Sequence, residues 1–285
     1  SAGIVENWIA ENNPAGAISL SLIALIIIMI LIAFERLSRA KSRRWTEGIA
    51  GVGSPEWELK GIKALSAQLI SIIPPLFTFG VPLFWAYCNL DQIANGLTLE
   101  LFFLSLRSIG LGLIASLLTL LLAIILSVQK RWTKFKWMKR VNFLYGIGYA
   151  IPGVVLALGI LSFNGKGLYF SPLILLIWGY SVRFIAIPKG GIDAAFERIS
   201  PNIDEAATSL GSSWHSVFKR IHFPLLKGPL AVGGLLVFID TLKELPLTFV
   251  LRPFDFDTLS VRIFQYAGDE RMGEAIIPAL IILFL

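Results

Sequence analysis

Asp240, Lys243 and Glu244 stand inside a stretch, residues 228–250, that is otherwise almost free of charge. On a helix Asp240 and Glu244 are i, i+4 and share a face, with Lys243 three residues from Asp240. Two chemistries are open to them: an intrahelical ion pair that neutralises itself, or a charged lining of a path through an apolar medium near its outer end. A lone charge at the centre of a membrane span costs about 2.5 to 3.5 kcal/mol on insertion scales, so charges placed this deep pair or face water. Pro152-Gly153 marks a second special point, about 16 Å into the apolar run 141–163, where Pro removes a backbone hydrogen bond and Gly loosens the helix. Either a bent helix or a broken helix lining a cavity results, with the Tyr145 and Tyr149 hydroxyls beside it. Arg183 is expected near the cytoplasmic end of its own run, reaching water by snorkelling.

Other chemistries find no residues to carry them. His215 and His222 both fall in a hydrophilic loop, where a solvated or docking role outweighs metal ligation. Cys88 is the single cysteine, so neither an internal disulfide nor a thiolate metal site is available. Gly165-Lys166-Gly167 is the nearest thing to a phosphate-binding loop, yet it lacks a glycine at the needed offset and a Ser or Thr after the lysine. No nucleophile and base are paired as an enzyme would need.

The elements that position these residues follow from composition. The chain is 55% hydrophobic and only 15% charged, against about 25% charged in an ordinary soluble domain. A bilayer core needs roughly 20 apolar residues as a helix. Seven runs approach that length: 15–34, 65–88, 101–128, 141–163, 169–188, 228–250, and a short one from 273 to the end. The fold class expected is all-α, a polytopic transmembrane helical bundle of about seven spans with the last incomplete. The net charge of +6 does not point to nucleic acid, because the basic residues lie in alternate loops. Eighteen Lys and Arg collect on one side, in the loops 36–63, 130–140 and 189–227, and four on the other, at Lys166, Arg252, Arg262 and Arg271. Short basic loops stay cytoplasmic, which puts the N-terminus outside.

The longest basic loop, 189–227, is patterned as two short amphipathic helices. Asp204-Glu205-Ala206-Ala207 places acidic residues in a first helical turn, and Leu210-Gly211 is a stop signal with the glycine expected in a left-handed conformation. Ser212 or Ser213 caps a second helix, 214–221, which Pro224 is expected to close. From periodicity alone this is a surface hairpin on the headgroups.

Written out, the loop reads Glu205-Ala206-Ala207, three residues, Gly211, nine residues, Ile221, one residue, Phe223-Pro224. It resembles the EAA loop of the inner-membrane permeases of binding-protein-dependent ABC importers, with Phe223 where that family usually has Leu. Further segments, from Tyr149 through Pro152-Gly153 to Gly159, Arg183-Phe184, Leu242-Lys243-Glu244-Leu245-Pro246-Leu247-Thr248, Leu251-Arg252-Pro253-Phe254 and Asp257-Thr258-Leu259, look like the C-terminal half of the fused ferric-iron type permeases. The resemblance implies a MetI-like bundle. Residues 1–64 would carry the last span of a preceding permease half and a cytoplasmic linker. Residues 65–285 would form a permease domain with its coupling loop at about 189–227. The chain would then be a piece of a longer polypeptide, in keeping with its short last run and its first residue, Ser1.

The resemblance also implies roles. Asp204, Glu205, Ala206, Ala207, Leu210, Gly211, Ile221 and Pro224 would form the coupling loop that docks on a separate ATPase dimer, which binds ATP and Mg; this chain itself would bind no cofactor and no metal. Pro152, Gly153, Asp240, Lys243, Glu244 and Pro246 would lie along the translocation path. The implied partners are that ATPase, a periplasmic solute-binding protein, the other permease half and the lipid of a bacterial inner membrane, with no nucleic acid. Similar permeases carry ferric iron, phosphonates, thiamine, polyamines or sulfate, and the Lys-Glu-Leu-Pro segment favours ferric iron. The competing reading is a secondary transporter or channel that uses Asp240, Lys243 and Glu244 as an ion relay.

Overall fold

The computed structural model describes residues 13–40, 59–91, 98–132, 145–164 and 169–285. The basic residues Lys41, Arg43, Arg44, Lys134, Lys136, Lys139 and Arg140, and the Gly165-Lys166-Gly167 segment, lie outside the described residues.

Every regular element among the described residues is helical. In chain order they are α1 (Pro14–Ala40), α2 (Ile62–Cys88) and α3 (Leu99–Trp132), a short helical segment at 145–150, and α4 (Gly153–Asn164). There follow α5 (Pro172–Phe184), α6 (Ala186–Glu197) and α7 (Pro201–Ser209). The chain ends through α8 (Trp214–Lys243), α9 (Pro246–Leu251), α10 (Leu259–Gly268) and α11 (Met272–Phe284). By length and composition α2, α3 and α8 are able to cross a membrane, and α5 with α6 makes a fourth such span bent by 44°. Stretches in α1, α4 and α11 are apolar but shorter. Each of the seven apolar runs of the sequence contains helix over its described residues, and three helices, or four with the bent pair, are long and apolar enough to cross a membrane.

Small residues set the packing at the centre. Gly233 and Gly234 lie side by side on α8 and open its two flanks. A methyl group on Gly233 would fall 2.9 Å from Pro188 of α6, and one on Gly234 would fall 2.8 Å from Leu120 of α3. On the α3 side Ser116 Oγ donates 2.8 Å to the Gly234 carbonyl. Close backbone approach at small residues is how helices associate where lipid removes the usual hydrophobic drive. Around this contact Leu111, Ala115, Leu176, Tyr180, Val237 and Leu247 form a buried core. The α1 and α2 helices instead present most of their Leu, Ile and Phe side chains outward, a surface that water would not tolerate and lipid does.

Prolines shape the rest. Pro74-Pro75 stand inside α2 and are followed by a π turn, Leu76–Gly80, the local widening that absorbs missing N–H groups. Two sequence expectations are corrected by the same physics. Pro224 does not close a second short helix: a π turn at Phe218–His222 carries the chain from Trp214 into the α-helical part of α8, Phe223–Lys243, with Pro224 in the first turn of that part. The run 228–250 is not one span either, because α8 ends at Lys243, Glu244 is extended, and α9 starts at Pro246.

Candidate functional site

Two places gather the residues singled out above. The first is the hairpin formed by α7 and the start of α8. Ser200 caps α7, its hydroxyl accepting from Asn202 N–H at 3.3 Å. At the far end Gly211 has φ 80; its N–H donates to the Thr208 carbonyl at 2.9 Å, and Ser212 N–H donates to the Ala207 carbonyl at 3.0 Å. That pair of bonds is a Schellman stop, which needs the left-handed residue that glycine supplies. Ser213 then caps the next helix. Glu205, Ala206 and Gly211 face outward, and Leu210 is 87% exposed.

Asp204 faces the other way. Its Oδ2 lies 2.7 Å from Arg131 Nε at the end of α3, with both side chains largely buried. Arg131 also donates to the Phe196 carbonyl at 2.8 Å, tying in the end of α6. Asp204 Oδ1 stands 2.9 Å from Nε2 of His222, close enough for charge pairing although off the hydrogen-bond line. His222 is fully buried, ringed by Trp132, Phe196 and Phe218. It precedes the apolar part of α8, and burial pulls its imidazole below the ordinary value, against the opposing effect of Asp204. Beside this node Lys189 and Lys130 share Asp193, at 2.6 and 2.9 Å.

The second place lies where three helices are interrupted. The chain breaks at Ile151-Pro152 ahead of α4, bends at Ile185 between α5 and α6, and leaves helix at Glu244 ahead of α9. Breaks free carbonyls, and in an apolar medium each must find a donor. Arg183 Nη1 donates to the Ile151 carbonyl at 2.5 Å, and its Nε lies 3.3 Å from Glu244 Oε2, with only 16% and 9% of the two side chains exposed. Glu244 Oε1 accepts from Leu247 N–H at 3.3 Å, capping α9, while its carbonyl accepts from Thr248 Oγ1 at 2.5 Å and Ser260 Oγ at 3.1 Å. Tyr180 and Thr248 share a 2.5 Å hydroxyl contact. A methyl group on Gly153 would fall 2.5 Å from Glu244 Oε1, so glycine there lets one break seat against the other.

Lys243 pairs with Asp240 at 2.7 Å, and its side chain is 61% exposed against 14% for Asp240. The intrahelical pair of the sequence reading thus has two members rather than three, because the backbone turns Glu244 away toward Arg183. Arg183 does not reach out to solvent: it sits just before the 44° bend between α5 and α6, with its side chain held inward by the Ile151 carbonyl and Glu244. Pro152, Gly153, Glu244 and Pro246 come together at the breaks; Asp240 and Lys243 form a neighbouring pair.

Sequence reasoning missed Arg183 as a pairing residue, Arg131 as an anchor, and the burial of His222. A guanidinium between aromatic and apolar residues at Tyr180–Phe184 was a signal for the first. Nothing local signals the others, since Arg131 and Asp204 are 73 residues apart.

A helical bundle with helices long and apolar enough to cross a membrane, an anchored hairpin and ion-paired helix breaks defines the class as a helical membrane protein. No protein-family model matches the chain. Over 99% of its length it is 25% identical to the Fe(3+)-transport system permease protein FbpB 2 of Haemophilus influenzae, and it spans 57% of that relative. Over 79% of its length it is 28% identical to a candidate 2-aminoethylphosphonate transport system permease protein, PhnV, of Salmonella paratyphi A, covering 82% of it. Among solved structures it is similar to a bacterial ABC transporter involved in the import of the acidic polysaccharide alginate, with a TM-score of 0.56 and 19% identity, covering 78% of this chain and 93% of that one. The fold is that of an ABC importer permease, and the resemblance in sequence is to ABC transport permeases of the ferric type.

Proposed function

We propose that this chain is the membrane-spanning permease part of an ATP-driven importer of ferric iron, working by alternating access. The observation that carries the reading is the two-sided build of α7. Glu205, Ala206 and Leu210 face outward while Asp204 is fastened inward by Arg131. A short helix held on one side and bare on the other, with small residues on the bare side, is suited to lie in the cleft of another protein and pass its movement inward.

On this reading a separate ATPase dimer binds ATP and Mg and takes α7 as its coupling helix. A periplasmic binding protein delivers the ferric ion. The other permease half, with residues 1–64 as its end and linker and 65–285 as this domain, completes the path. The protein is a multi-pass component of the bacterial inner membrane with the N-terminal side outside. Ferric iron is favoured by the name of the Haemophilus influenzae relative, and 2-aminoethylphosphonate is the competitor raised by the Salmonella one. The ion-relay alternative is weakened by the engagement of Glu244 with Arg183, which removes one of its three groups.

The test uses the full-length permease reconstituted in proteoliposomes with its ATPase and binding protein. ATP-dependent uptake of ferric iron, and none of 2-aminoethylphosphonate, is the expected result; uptake independent of ATP contradicts the importer, and uptake of the phosphonate alone contradicts the substrate.

A further inference from the structure

We infer that Arg183 is a positioning residue for transport: it fixes the membrane end of a strut that runs from the coupling hairpin to the interrupted helices, so that displacement of α7 reaches the Asp240–Lys243 end of α8. The inference rests on the importer reading.

The strut is α6. At its cytoplasmic end it runs through Ser200 directly into α7, and Arg131 holds both the Phe196 carbonyl of α6 and the Asp204 carboxylate of α7. Along its length it is clamped to its neighbours, with Asp193 held by Lys130 of α3 and Pro188 seated on Gly233 of α8. At its membrane end the 44° bend places Arg183 at the meeting of the Ile151 and Glu244 breaks, where one guanidinium serves both. A helix packed along its length, tied to Arg131 through its Phe196 carbonyl at one end and continued across the bend at the other into the α5 residue Arg183 that pairs with Glu244, is built to move as one body.

The chemistry asks for arginine. The planar, delocalised guanidinium reaches in two directions at once, donating from Nη1 to the Ile151 carbonyl while its charge pairs with the Glu244 carboxylate, whereas an ammonium is a point charge on a flexible stem. The Glu244 side chain in turn caps α9 through Leu247, and its backbone carbonyl accepts from Thr248 of α9 and Ser260 of α10. Moving Arg183 therefore moves the α8–α9 break, and with it the exposed face of Lys243.

The test uses the full-length permease with its ATPase and binding protein, comparing unmodified protein with Arg183→Gln, Glu244→Gln, Arg183→Lys and the Arg183→Gln/Glu244→Gln double variant. The expected result for both Gln singles and Arg183→Lys is retained ATPase co-purification and basal hydrolysis, with uptake per ATP hydrolysed lowered about tenfold. The double variant is expected to be no worse than either single, because the two residues act as one unit. If a single variant fails to reach the membrane because it strands a buried charge, the uncharged double carries the same readout. Unchanged uptake per ATP, losses that multiply in the double, ATPase binding that falls in step with uptake, or a double variant that does not assemble would each overturn the inference. Absence of ATP-dependent uptake by the unmodified protein is a different failure, that of the importer reading.

Discussion

Asp204 Oδ2 stands 2.7 Å from Arg131 Nε with both side chains largely buried, so a carboxylate in the first turn of an outwardly exposed helix is fastened to the end of a helix far away in sequence. The EAA-like loop is therefore not a tether between spans. It is an arm fastened inward through Asp204, with Glu205, Ala206 and Leu210 exposed on its outer side.

Removing that contact should loosen the arm. Asp204→Ala leaves Arg131 buried without its carboxylate, a change that costs about 3 to 5 kcal/mol where a pair is well shielded. Hydrogen exchange across 201–213 should quicken markedly, while exchange in α3 and the apolar part of α8 stays as it was. Unaltered protection in the hairpin would show that the ion pair is not what holds it.

The histidine on the same carboxylate gives the arm a pH dependence of defined sign. Burial lowers the folded-state pKa of His222 below its ordinary value of 6.5, so the folded state favours the neutral ring. The stabilisation is fully present above the ordinary value and is lost as pH falls through it toward the lower folded value. Protection of 201–222 should therefore drop as pH falls through and below the ordinary value of 6.5, and His222→Phe should abolish that drop. A drop of equal size in the variant assigns the effect to another group.

Gly211 separates backbone from side-chain effects. Its φ is 80, and a methyl group there would meet nothing within 4 Å, so any penalty comes from conformation alone. A left-handed non-glycine residue costs roughly 1 to 2 kcal/mol, with Asn the best tolerated. Gly211→Val should weaken ATPase co-purification, and Gly211→Asn should retain most of it; equal behaviour of the two would argue against the Schellman stop as the determinant.

A second glycine pair tests the seating of the breaks. Gly153→Ala drives a methyl group to 2.5 Å from Glu244 Oε1, whereas at Gly159 it would meet nothing within 4 Å. Thermal unfolding in detergent should show Gly153→Ala as destabilising. Gly159→Ala should be neutral or stabilising by about 0.5 to 1 kcal/mol, the helix-interior preference for Ala. The reverse order would contradict the packing described.

What the sequence made legible follows from local signals. Apolar length marked the seven helical regions, Leu210-Gly211 marked the hairpin stop, and Pro152-Gly153 marked the point ahead of α4 where the helix either bends or breaks. Partners across the bundle were not legible. Arg183 and Glu244 are brought together only because α8 stops at Lys243, and no periodicity distinguishes a helix that ends there from one that runs on to 250. Likewise Pro224 read as a terminator because a π turn, which removes its penalty, has no signature of its own in the apolar pattern.

Coupling to an ATPase is proposed for the outer face of α7, and Glu205 lies exposed on that face, next to Asp204 in sequence but turned away from the Arg131 contact. The most direct measurement is binding-protein-stimulated ATP hydrolysis by the full-length permease carrying Glu205→Lys, with co-purification of the ATPase recorded alongside. Charge reversal at a docking contact should cut stimulated hydrolysis about tenfold or more and weaken co-purification, while membrane insertion is unchanged. Stimulated hydrolysis and ATPase binding at the unmodified level would mean that residues 201–213 are an ordinary surface hairpin, and would contradict the coupling role on which the importer reading stands.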